Sequence, residues 1–155
     1  MALSYIGNSA YSAQTLTISL NGLASGSAVA SSTFTCPSQG TSPFEFYDTC
    51  DVRVNLGAAT TLGTTAPVQL IGKVIAARDG TNLEYWTASG GLILPTNVSV
   101  SMTVPNTGVS AQYLDIPGLP AFPGTIAVVI LNGLGVALPA SGVSATAYFY
   151  MSATG

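Results

Sequence analysis

The stretch "IAVVILNGLGVALP", residues 126–139, decides the fold. It lies in a run from Ile116 to Gly155 that carries no charged residue, and it has two competing readings, a membrane span or a buried part of a β-sheet. A membrane helix needs roughly 20 consecutive apolar residues, and here Asn132-Gly133 interrupts the apolar run. Asn-Gly is the dipeptide that best fits a two-residue type I′ turn, where both positions need positive φ. Ile126–Leu131 therefore reads as one strand, Leu134–Leu138 as its antiparallel partner, and Pro139 as the end of the second. Val128, Val129 and Ile130 are β-branched, which suits a pleated strand. The unbroken apolar run before Asn132 predicts a strand covered on both faces.

Working outward, alternation of period two recurs along the chain. Leu16, Ile18 and Leu20 alternate with Thr15, Thr17 and Ser19 before an Asn21-Gly22 turn. Residues 28–35, "AVASSTFT", form a second candidate, and Val52, Val54 and Leu56 alternate with Asp51, Arg53 and Asn55. Residues 68–77 and 83–88 flank "RDGTN", a compact hairpin loop containing Asp-Gly. Val98, Val100, Met102 and Val104 alternate with Ser99, Ser101 and Thr103. The last strand sets Val143, Ala145, Ala147, Phe149 and Met151 against Ser144, Thr146, Tyr148, Tyr150 and Ser152. Residues 105–125, "PNTGVSAQYLDIPGLPAFPGT", hold four of the nine prolines and read as a long ordered connection. No stretch shows capped apolar spacing at i, i+3, i+4, i+7. The expected fold is all-β: one antiparallel β-sandwich or jelly-roll-like domain over residues 1–155, of about eight strands, without substantial helix.

Charge excludes several function classes. Of 155 residues, three are Lys or Arg, six are Asp or Glu and none is His, giving a net charge of −3. Ordinary soluble domains carry about 25% charged residues, against 6% here. Arg53, Lys73 and Arg78 cannot supply the clustered cations that nucleic acid demands, and no polybasic patch exists for anionic lipid. Neither nucleic acid nor membrane is expected as a partner. The start, "MALSYIGNSAYSAQ", has no positive n-region and no continuous apolar h-region, so no secretory signal is expected. A soluble surface normally keeps mixed charges for colloidal stability, so a neutral one points either to coverage by neighbouring subunits or to an unusually neutral monomer. Eight of the nine charges fall between Glu45 and Glu84, leaving both flanking thirds nearly neutral.

Catalytic chemistry is hard to build from what remains. Without histidine there is no Ser-His-Asp or Cys-His arrangement. No G-x-S-x-G, phosphate-binding glycine loop or EF-hand spacing occurs. Paired carboxylates about 5–9 Å apart hydrolyse glycosides, but so small and charge-poor a chain has little material for a sugar cleft. No enzyme, metal or cofactor is expected. Glu45, Asp48 and Asp51 in "FEFYDTCD" are the calcium candidates, since loop oxygens suffice for that ion. The plainer reading is a solvated acidic loop partly neutralised by Arg53. Cys36 and Cys50 read either as a disulfide or, in a reducing cytoplasm, as two buried free thiols, the reading favoured without a signal peptide.

Aromatic residues are the remaining resource. Tyr85 and Trp86 follow the Asp-Gly turn, and Tyr148 and Tyr150 share one face of the last strand. Such residues anchor protein interfaces and also stack on sugars. Taken whole, the charge-free "MALSYIGNSAYSAQTLTISLNG", the strand "VSVSMTV" and the ending "SATAYFYMSATG" resemble the small β-rich decoration or cement subunits of tailed-bacteriophage heads. That resemblance implies a non-enzymatic virion protein, assembled in the host cytoplasm. It would bind a major capsid or other shell protein, as a homo-oligomer with trimers favoured. It also implies an N-terminal arm over residues 1–13, with Tyr5, Ile6 and Tyr11 as interface candidates beside Tyr85, Trp86, Tyr148 and Tyr150. The alternatives are a carbohydrate-binding or adhesin-type module using Tyr85 and Trp86, and a pilus-type subunit.

Overall fold

The computed structural model describes residues 12–38, 46–61, 68–83, 100–104 and 110–151. Nine strands occur among them: β1 Ser12–Thr15, β2 Ala28–Ala30, β3 Phe34–Thr35, β4 Thr49–Thr61, β5 Val68–Ala76, β6 Val100–Val104, β7 Ser110–Pro120, β8 Thr125–Gly133 and β9 Ser144–Tyr150. They form two antiparallel sheets, one ordered β1-β9-β4-β7 and the other β2-β8-β5-β6, with β3 also paired to β8. β2 and β3 are two pieces of one strand, split at Ser31, whose Oγ accepts from the Val128 N–H at 3.0 Å. Counted so, the pairs β1·β9, β2/β3·β8, β4·β7 and β5·β6 are nested, as in one long hairpin rolled up. Nested pairing distributed over two sheets is the topology of the eight-stranded jelly roll. The all-β expectation is met, and no helix among the described residues is long and apolar enough to cross a membrane.

Alternation places the core. Val52, Val54 and Leu56 of β4 are fully buried, as are Ala147 and Phe149 of β9 and Ile116 and Leu119 of β7. They pack against Ile126, Val128 and Ile130 of β8 and Leu70 and Val74 of β5. Gly72 of β5 leaves room for this contact, because a Cβ there would stand 3.1 Å from side-chain carbons of Ile116 and Leu119. The unalternating run of β8 is buried on both faces, as its composition predicts. Ala127 and Val129 join Ile75 in a second small cluster on the outer side of the five-stranded sheet.

Three local readings are corrected. Asn132-Gly133 does not turn a hairpin: β8 runs through Gly133, and residues 134–138 form no strand. Asn132 is wholly buried, and its side chain closes the following loop. Nδ2 donates to the carbonyls of Leu23 (2.8 Å) and Val136 (2.9 Å), while Oδ1 accepts from the Leu134 N–H (3.0 Å). That last bond, two residues on, is the Asx alternative to a backbone turn. The left-handed glycine of the segment is Gly135 rather than Gly133.

Residues 105–125 are not merely a connection, since residues 110–120 are strand β7. Pro117 and Pro120 are tolerated because β7 is an edge of its sheet, where one row of N–H groups needs no ladder partner. At the other end, among the described residues, β1 pairs with β9 from Ser12 to Thr15. Leu16–Leu20 keep the alternating burial with isolated bonds such as Leu16 N–H to the Ala145 carbonyl (3.0 Å). Ser12 and Ala13, assigned to an arm by sequence, thus belong to the sheet. The expected strand at residues 83–88 lies, beyond Leu83, outside the described residues.

Candidate functional site: the outer face of the four-stranded sheet

On β4 the inward residues are Val52 and Val54, so Asp51, Arg53 and Asn55 point outward. Register then assembles a ladder on that face. Asp51 pairs with Tyr148, Arg53 with Thr146 on one side and Asp115 on the other, and Asn55 with Tyr113. Thr49 pairs with Tyr150. Residues scattered between positions 49 and 150 therefore meet on one surface.

Arg53 and Asp115 form a two-point ion pair, Nε to Oδ1 at 2.7 Å and Nη2 to Oδ2 at 2.9 Å. Both side chains are about half exposed. The guanidinium also lies 5.8 Å from the centroid of the Tyr113 ring, within cation–π range. Hydrogen bonding to Asp115 raises the Arg53 pKa further above its already high value, so this cation is permanent. One row along, Asp51 Oδ1 accepts from the Tyr150 hydroxyl at 2.9 Å and from the Gly118 N–H at 2.7 Å. The second bond depends on a bulge. Cys50 pairs with Leu119 and Val52 with Ile116, so Pro117 and Gly118 together oppose Asp51. Gly118 turns the chain with φ +67° at a point where no neighbour lies within 4 Å of its Cβ position. Asp51, Arg53, Asp115, Pro117 and Tyr148 line a shallow depression of about 480 Å³.

The chemistry available here is recognition. Planar groups are pre-positioned by cross-strand bonds, one permanent cation is paired with Asp115, and a second carboxylate, Asp51, lies two positions along the same strand as that cation. An exposed Tyr113 and half-buried Tyr148 and Tyr150 share the face. Among the described residues no three His, Cys, Asp or Glu side chains converge as a metal site. Of the calcium candidates, Asp51 is engaged as above. Asp48 accepts from the Thr49 hydroxyl at 2.9 Å, its own carbonyl accepting from the Ala121 N–H at 2.7 Å. Glu45 lies outside the described residues, as do Tyr5, Ile6, Tyr11, Tyr85 and Trp86. Tyr148 and Tyr150 are brought together on the outer face. Cys36 and Cys50 are buried free thiols.

Tyr113 and Asp115 were missed by sequence reasoning because their segment was read as a connection. The signal was present in "YLDI", where Tyr113 and Asp115 are exposed while Leu114 and Ile116 are buried. The chain matches no known protein-family model, and no curated protein is significantly similar to it.

Proposed function

We propose that the chain is a non-enzymatic virion structural protein, a decoration or cement subunit that assembles on a capsid shell and clamps its neighbours. The observation that carries this reading is the outer face of the β1-β9-β4-β7 sheet. There, Tyr113 and Tyr148 flank a pre-formed Arg53–Asp115 pair, with Tyr150 bonded to Asp51 one row along, on a chain of few charges. Tyr and Arg are the residues that most often anchor protein interfaces. Their rigid cross-strand placement lowers the entropy lost on docking. The jelly-roll topology recurs in viral capsid domains, which supports the reading as an architectural analogy. Gradient sedimentation of lysate from the source tests it: the chain is expected to co-migrate with megadalton particles at a fixed ratio to a larger shell protein. Recovery only as a free small oligomer contradicts it.

A second reading, sugar binding, is favoured by the depression itself. Jelly rolls also serve as lectins, and about 480 Å³ lined by Tyr148, Arg53 and two carboxylates suits one or two neutral sugar rings. Glycan-array binding that is lost in Tyr148→Ala would select this reading.

A further inference from the structure

In the depression on the outer face, Asp51 uses one carboxylate oxygen and keeps the other. Its Oδ1 accepts from the Gly118 N–H at 2.7 Å and from the Tyr150 hydroxyl at 2.9 Å, and among the described residues nothing bonds Oδ2. Two bonds to Oδ1 hold the carboxylate in place before any partner arrives, which lowers the entropy lost on binding. Arg53 meanwhile bonds both oxygens of Asp115, so that pair neutralises itself. One cation against two carboxylates leaves the depression with one net negative charge, and that charge is on Asp51. Pro117 and Tyr148 line the same depression. They offer an apolar wall along which an aliphatic stem can lie while its charged head reaches the carboxylate.

We propose that a lysine or arginine side chain of a different protein occupies this depression, its charged head on Asp51 Oδ2 and its stem along Pro117 and Tyr148. The inference rests on the reading of the outer face as a docking surface, and it names the group that the partner brings. Charge separates a foreign partner from a second copy. Two copies meeting through this face would set one net-negative depression against another, and like charges facing each other lower affinity. The chain also has few basic side chains to lend: three in all, on a net charge of −3. Arg53 is paired with Asp115, and Lys73 is buried at 8% exposure on the other sheet. Arg78, in the loop after β5, has an interaction of its own. A partner with a basic surface satisfies the depression without drawing on any of these.

Titrating the isotope-labelled chain with n-butylammonium chloride, a lysine head and stem, tests the site by NMR without any particle. The Gly118 N–H and Arg53 Nε–H signals are expected to shift saturably, with a Kd of roughly 10–100 mM for so small a ligand. Sodium chloride, n-butanol and methyl glucoside should leave them in place, a comparison that needs only the wild type. Asp51→Asn keeps an oxygen for the Gly118 and Tyr150 bonds but loses the charge, and should abolish the shift. No saturable shift, an equal shift with any of the three controls, or an unchanged shift in Asp51→Asn overturns the proposal. Binding to particles from the source lysate is the second arm. Asp51→Asn should lower occupancy about tenfold at low salt and flatten its decline with salt. Equal occupancy of the two chains overturns the proposal and leaves the virion reading standing. Failure of both to bind removes the virion reading, and the titration alone then decides the proposal. Self-association of the wild type that is lost in both Arg78→Ala and Asp51→Asn makes a second copy the occupant, and also overturns it.

Discussion

Arg53 and Asp115, 62 positions apart in sequence, are joined by paired hydrogen bonds of 2.7 and 2.9 Å on the outer face of one sheet. The pair exists because the jelly-roll winding lays β7 beside β4 in a register that sets these two residues opposite each other. Both side chains are about half exposed, where water screens the attraction. The pair therefore contributes little to folding, and its proposed role is in docking to a neighbour. Arg53→Ala and Tyr148→Ala are expected to move the melting temperature by no more than about 1–2 °C. The same substitutions should reduce occupancy on particles. Parallel melts and particle-binding assays check both halves of that statement.

Asn132 holds the fold rather than the outer face. Its side chain satisfies three backbone groups around a fully buried position. Asn132→Ala removes all three bonds, the Leu23 carbonyl keeping only the Leu138 N–H at 3.0 Å, and is expected to cost about 2–4 kcal/mol. Asn132→Asp keeps the acceptor for the Leu134 N–H but sets an oxygen against two carbonyls, so it should rescue little. Urea unfolding of the two variants against wild type measures the difference.

Gly57 and Gly142 meet backbone to backbone. A Cβ on Gly57 would lie 2.8 Å from the Gly142 carbonyl oxygen, at φ +73°. Gly22 has a similar φ of +68° with nothing within 4 Å. Gly22→Ala isolates the dihedral penalty, about 1–2 kcal/mol. Gly57→Ala adds a backbone collision and is expected to exceed it by about 1–3 kcal/mol. Equal losses at the two positions would falsify the close-packing account.

Asp79 ties down the loop after β5. Its carboxylate accepts from the N–H groups of Thr81 (2.9 Å) and Asn82 (2.7 Å) and from the Asn82 side chain (2.6 Å). Those bonds, the Thr81 N–H first, hold its pKa below the ordinary 3.8. A depressed acid stabilises the fold above its unfolded pKa and loses that contribution as pH falls through the folded value. The stability advantage of wild type over Asp79→Asn should be full at neutral pH and shrink below 3.8. Denaturant melts of both proteins on either side of that value test the sign.

Much of the fold was legible because burial follows strand period. The alternation in Val52–Leu56 and Ala145–Phe149 and the solid apolar run of β8 each predicted their faces correctly. What failed was local punctuation read without tertiary context. Asn132-Gly133 carries a strong hairpin signal, but its amide is used to close a buried loop. Pro117 and Pro120 look like strand breakers, but they sit on an edge with a bulge. The site was half legible for the same reason. Tyr148 and Tyr150 share a face by simple alternation, whereas their union with Arg53, Tyr113 and Asp115 depends on which strands become neighbours.

A density map of particles purified from the source lysate tests the central claim most directly. The account predicts the chain at a fixed copy number on the shell, with the outer face of the β1-β9-β4-β7 sheet, Tyr148 and Arg53 included, in contact with a neighbouring subunit. Particles lacking the chain, or carrying it with that face open to solvent, would contradict the account.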